Sequence, residues 1–190
     1  MFMMLILKNC SNKKKVLLLL ATVCLFTVIA CKHESSSTID DFIGKEIVFP
    51  DSLSVIKNDT LQQQNKKFLN TGNKKVIHLF KADCGKCINS FSQLNQFLDE
   101  LEGDFDCLFF VYTSNYKFFK THVYPQLNTN FYLILNKNHC FEQNNKLEGT
   151  YNLFNTFIVN ANNKIEYIGN PINSKNERGE FINHLILNNE

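Results

Sequence analysis

The chain has 190 residues and carries 20 basic against 18 acidic side chains, a formal net charge of +2. With one arginine, Arg178, and no basic stripe, it lacks the electrostatic footprint of a nucleic-acid-binding protein, so nucleic acid is not expected as a partner. Eighteen phenylalanines and no tryptophan, in a chain 44% hydrophobic, indicate one globular domain with a core of phenyl rings.

The first segment reads as a targeting signal. Lys8 and Lys13-Lys14-Lys15 are followed by an apolar run, Val16–Ala30, shorter than the about 20 residues a membrane-spanning helix needs. Its ending, Val28-Ile29-Ala30-Cys31, resembles the bacterial lipoprotein signal, in which the cysteine is lipidated and becomes the new N-terminus. That resemblance implies a signal peptide over residues 1–30 and lipidation of Cys31. The alternative is an uncleaved anchor in which Cys31 has no role. Removal of residues 1–30 takes away Lys8, Lys13, Lys14 and Lys15 and no acid, leaving 16 basic against 18 acidic residues. Cys31, Cys84, Cys87, Cys107 and Cys140 remain, in a compartment where disulfides persist. Lys32, in place of an aspartate after the cysteine, leans toward the outer membrane within the cell envelope.

Residues 31–41 are polar and serine-rich and read as a flexible tether. Residues 42–73 form an extension. Ile47-Val48-Phe49 and Leu53-Ser54-Val55 alternate on either side of Pro50-Asp51, which predicts a hairpin over Phe42–Ile56. Residues 57–73 are polar and read as a loop with one helical turn.

The body, 74–190, alternates. Lys75–Phe80 is a buried strand, Cys84–Leu101 a long helix closed by Gly103-Asp104, and Phe105–Tyr112 a second buried strand. Tyr116–Tyr124 predicts a short helix stopped by Pro125. Phe131–Leu135 reads as a third strand, followed by a polar stretch. Thr156–Val159 and Lys164–Ile168 form a hairpin around Asn160-Ala161-Asn162-Asn163, and Glu177–Leu187 closes as an amphipathic helix with Phe181, Ile182, Leu185 and Ile186 on its apolar side.

Chemistry concentrates at Cys84-Gly85-Lys86-Cys87, between the first buried strand and its helix. A helix start presents unpaired N–H groups and partial positive charge, which favour an anionic sulfur. Cysteines at i and i+3 on a first turn are close enough to bridge. Reversible exchange, a fixed structural bridge and an inactive remnant all fit this pattern. A lone pair of cysteines supplies two of the about four ligands that zinc needs, so no metal site is assigned. Cys107, inside a strand, reads as a buried structural thiol, and His78 as a packed core residue. Cys140, beside His139 in a polar stretch, reads as a third redox thiol, half of a second bridge or simply exposed. Tyr112 and Tyr116 flank the end of the second strand, near the pair.

The element order and the cysteine position together resemble the thioredoxin superfamily, and the exported, tethered setting resembles its TlpA/ResA-type branch. The resemblance implies an α/β thioredoxin-like fold: a central mixed β-sheet flanked by helices, with an N-terminal β-hairpin extension. It implies Cys84 as nucleophile and Cys87 as resolving thiol, acting on thiols or disulfides of envelope proteins. Electrons would come from a membrane donor, with no diffusible cofactor. A non-catalytic binding lipoprotein with an inert pair is the alternative.

Two departures stand out. Lys81-Ala82-Asp83 precedes the pair where the family usually has an aromatic residue; the Asp83 carboxylate opposes thiolate formation and Lys86 favours it. Asn155, followed by Thr156, stands at the position of the family's cis-proline in the substrate loop. A cis bond before a non-proline residue costs about 3–4 kcal/mol, so a trans peptide is expected there. The peroxidase branch places its cysteine in a Pro-x-x-x-Thr-x-x-Cys context, and Leu79-Phe80-Lys81-Ala82-Asp83 has neither residue.

Overall fold

Lys74–Lys81 (β3) is buried at all but its first and last residues and Phe105–Tyr112 (β4) over Cys107–Val111, and a strand buried on both faces belongs in the middle of a sheet. A computed structural model places them there and describes residues 39–57, 60–127, 131–147 and 155–187. The other strands are Ser52–Lys57 (β1), Thr60–Asn65 (β2), Tyr132–Leu135 (β5), Thr156–Val159 (β6) and Ile165–Ile168 (β7). They form one sheet in the order β2-β1-β5-β4-β3-β6-β7. The β5-β4-β3 pairings are parallel and the remaining four antiparallel, so the sheet is mixed.

Strand alternation divides the core between two faces. Val76, Phe80, Cys107, Phe109 and Val111 point to one face, and Ile77, Leu79, Leu108, Phe110 and Ile134 to the other. Gly85–Asp99 (α1) covers the first with Phe91, Leu94 and Leu98 at helical spacing. Phe119 and Val123 join it from the segment after β4. That segment, α2, begins at Tyr116–Phe118, widens to a π-turn over Phe119–Val123 and tightens to a 3-10 turn at Tyr124–Gln126. Lys175–Ile182 (α4), continued by a π-turn over Asn183–Leu187, contributes Phe181 and Leu185.

Phe42, Ile47, Phe49 and Phe141 cover the second face. Phe141 belongs to a short helix, Cys140–Asn145 (α3), whose side chain Asn145 clasps the segment ahead of β1. Its Oδ1 accepts from the N–H of Val48 at 2.7 Å, and its Nδ2 donates to the carbonyl of Val48 at 3.0 Å. One carboxamide thus does for Val48 what a neighbouring strand would do. Residues 44–47 also lie along β7: Gly44 N–H donates to Ile165 O at 2.8 Å, and Ile165 N–H to Lys45 O at 2.9 Å.

Several expectations need correction. The hairpin is β1–β2, with Ser52 opposite Asn65 and Lys57 opposite Thr60, so it lies later than Phe42–Ile56. Ile47–Phe49 is irregular and turns Ile47 and Phe49 into the core while Val48 stays exposed. The polar stretch 57–73 holds a strand and the turn Lys66–Leu69. Residues 39–41, at the end of the expected tether, belong to a 3-10 turn that buries Phe42. Pro125 does not stop α2; it sits at the start of the last turn, where a missing N–H costs nothing. The polar stretch after β5 contains α3, and Lys164 pairs with Glu46 rather than extending β7.

Candidate redox site

β3 ends at exposed Lys81, and a tight turn carries the chain into α1. The buried Ala82 donates its N–H to Tyr112 O at 2.9 Å, and Cys84 N–H reaches Lys81 O at 3.3 Å. Cys84 is extended (φ −120°, ψ 113°) and caps α1: its Sγ accepts the N–H of Cys87 at 3.3 Å. An N-cap position normally taken by a serine or aspartate oxygen is held here by sulfur, next to the positive end of the helix dipole. Cys84 and Cys87 are disulfide-bonded with Cα atoms 5.2 Å apart, and both are half-buried. Gly85 and Lys86, between them, are exposed.

Asp83 points into the loop after β4. Its carboxylate accepts from Thr113 Oγ1 and from the N–H of Ser114, each at 2.7 Å. Partial burial pushes its pKa up, but these donors outweigh it and hold the carboxyl below its usual value. Asp83 therefore has a structural task, fastening the cysteine turn to the β4–α2 loop, beside any influence on the thiols.

β6 runs antiparallel to β3, with Thr156 opposite His78. Asn155 lies one step closer to the end of β3 that leads to the cysteines, and its carbonyl accepts the N–H of Leu79 at 2.8 Å. The peptide joining residues 154 and 155, where a trans bond is expected, falls outside the described residues. No cis peptide occurs among the described ones.

Thr156 is fully buried. Its hydroxyl donates to Asn155 Oδ1 at 3.2 Å and lies 2.8 Å from His78 Nδ1. A hydroxyl has one proton, so Nδ1 must be the donor in the second contact. His78 Nε2 then carries a bare lone pair, and it has no hydrogen-bond partner among the described residues. Phe80, Phe91 and Phe109 surround the ring at centroid distances of 6.1, 6.4 and 6.1 Å. Burial among them pushes the imidazole pKa down to about 3, which keeps it neutral.

The other two cysteines among the described residues, Cys107 and Cys140, are free thiols. Cys107 faces the α1 side of the sheet at 2% exposure, and burial holds its pKa well above the usual thiol value. Cys140 starts α3, borders a pocket of about 190 Å³ with Leu53, Phe110 and Lys137, and donates to Asn136 Oδ1 at 3.6 Å. Burial raises its pKa too. The two point to different sheet faces and form no second bridge.

Sequence reasoning missed the polar cluster at the end of β5. Glu142, 1% exposed, accepts from Asn136 Nδ2 and from His139 Nδ1, the latter at 2.9 Å, and His139 stacks on Tyr112 at 3.8 Å. No signal marked it, because Glu142 and Asn136 read as ordinary surface residues. Tyr116 is half-buried against the α1 face.

No protein-family model and no curated protein matches the chain. Solved structures do. A thioredoxin-like protein from Porphyromonas gingivalis, itself uncharacterized, superposes with a TM-score of 0.53 at 18% identity, over 77% of this chain and 96% of its own. The fold is thioredoxin-like. A Chlorobium tepidum protein assigned as thiol:disulfide interchange protein DsbE gives a TM-score of 0.52 at 14% identity, over 75% of this chain and 97% of its own. The bacterioferritin comigratory protein of Xanthomonas campestris, studied for alkyl peroxide reduction, gives 0.53 at 11% identity, over 75% and 96%. Within this thioredoxin-like fold, Cys84 and Cys87 occupy the turn between a central strand and its helix. Asn155 stands at the start of the antiparallel strand beside them. Cys31 lies outside the described residues, among which no helix is long and apolar enough to cross a membrane.

Proposed function

We propose that this chain is an envelope protein that exchanges thiols and disulfides through Cys84 and Cys87, tethered to a membrane by lipid on Cys31. The observation that carries the reading is the sulfur cap: Cys84 Sγ accepts a backbone N–H at the positive end of a 15-residue helix. That setting stabilises a thiolate, the attacking species in exchange. Cys84, as thiolate, attacks one sulfur of a substrate disulfide and releases the other as thiolate. Cys87 then attacks Cys84 in the mixed disulfide, so the substrate leaves reduced and the pair is oxidised. Run backwards, the same steps oxidise a dithiol. Asn155 borders the approach of the substrate chain, backed by the buried Thr156, which His78 holds. Asp83 and Lys86 bias the thiolate in opposite directions. Electrons enter or leave through a membrane partner.

The test is the reduction potential of the pair in the chain from Lys32 onward, with Cys107→Ser and Cys140→Ser, equilibrated against glutathione or dithiothreitol. A value between about −120 and −270 mV is expected of an exchange enzyme. A value below about −300 mV would identify a structural bridge and favour the binding-protein alternative.

A further inference from the structure

We propose that β2 is a pairing edge, through which two copies of this chain join antiparallel into one continuous sheet. The two edges of the sheet are treated differently. At one, β7 has four residues, a bulge interrupts its pairing with β6, Glu166 pairs with Lys74 at 3.2 Å, and residues 44–47 are bonded along it. These are the devices by which an edge is kept from pairing with another chain. At the other, β2 has six residues, Thr-Leu-Gln-Gln-Gln-Asn, with neither charge nor proline. Its register with β1 is unbroken, and all its residues except Gln64 are exposed. Nothing in the described residues covers it.

The register says which groups face outward. Lys57 and Thr60 close the hairpin, so the hydrogen-bonded pairs fall at Lys57–Thr60, Val55–Gln62 and Leu53–Gln64. The backbone N–H and C=O of Leu61 and Gln63 then point away from β1.

The strand suits its own copy. Antiparallel pairing centred on Gln63 sets Leu61 opposite Asn65 of the second copy and Gln62 opposite Gln64, and the same pairs recur across the two-fold axis. A carboxamide both donates and accepts, so glutamine pairs with glutamine without a complementary sequence. An uncharged edge offers nothing to select a charged peptide. Two six-residue edges bury less than a standard interface, so the contact is weak and needs trapping to be seen.

The experiment places a photo-crosslinker in the full chain in cells, Gln62→p-benzoylphenylalanine, since the N–H of residue 62 faces β1. A product of twice the chain mass is expected, reduced at least tenfold by Gln63→Pro, which removes an outward N–H and leaves the β1 ladder whole. Gln63→Lys, which adds charge without altering the backbone, is expected to reduce it likewise. An unchanged thermal unfolding midpoint of each purified variant confirms folding. No doubled product, a doubled product indifferent to both substitutions, or an adduct of another mass would each overturn the proposal.

Discussion

His78 Nδ1 and Thr156 Oγ1 meet at 2.8 Å across the pairing of β3 with β6, and because the Thr156 proton goes to Asn155, Nδ1 of the fully buried imidazole holds its own. The unfolded chain protonates this histidine near pH 6.5, the folded chain only near 3. Below pH 6.5 the unfolded state binds a proton that the native state refuses. The contribution is therefore intact above that pH and is lost as pH falls toward 3. At pH 4.5 the loss is about 2–3 kcal/mol. Urea titrations at several pH values should show that loss, and His78→Phe should remove it. Parallel decline of both proteins would contradict the burial argument.

Roles within the pair separate by trapping. Cys87→Ser leaves Cys84 to attack with no thiol to resolve the product, so mixed disulfides with other envelope proteins should accumulate on nonreducing gels. Cys84→Ser should give none. Equal adducts on both variants would reverse or abolish the assigned roles.

Asp83→Asn removes a negative charge beside the pair and weakens the hold on Thr113 and Ser114. Alkylation of reduced Cys84 at neutral pH should quicken, because the thiolate loses an unfavourable neighbour. Stability should fall by about 1 kcal/mol, as expected for partly exposed hydrogen bonds to a charged group. An unchanged alkylation rate would show that Asp83 acts on the loop alone.

Asn145→Ala should cost about 2–3 kcal/mol, because the N–H and carbonyl of Val48 both lose their partner. Thermal unfolding would measure it. The potential of the pair should not move, since the clasp lies on the face opposite α1. A shifted potential would mean that the two faces are coupled.

The legible parts of this fold are those where burial dictates the residues. β3, α1 and β4 lie close to their expected bounds because Val76, Phe80, Phe91 and Phe109 must all be apolar to fill one face. β2 was illegible because it buries almost nothing, so its glutamines carry no alternation. α3 was hidden for the opposite reason: Glu142 and Asn145 are buried but polar, and they break the pattern that marks a helix. His139, with φ of 56°, starts that helix from a left-handed conformation for which the sequence holds no glycine. At the site, spacing located Cys84 and Cys87, but the partners of Asp83 and His78 lie 30 and 78 positions away along the chain. Contacts of that range leave no local trace.

The disulfide joins residues three apart, one of the smallest rings a protein can close. A cross-link restricts the unfolded chain in proportion to the logarithm of the ring it closes, and here the restriction amounts to about 2 kcal/mol. The phenyl layers on both sides of the sheet carry the stability instead. Opening the bridge therefore costs the fold little beyond that restriction, so the proposed exchange does not require the chain to pass through an unfolded state.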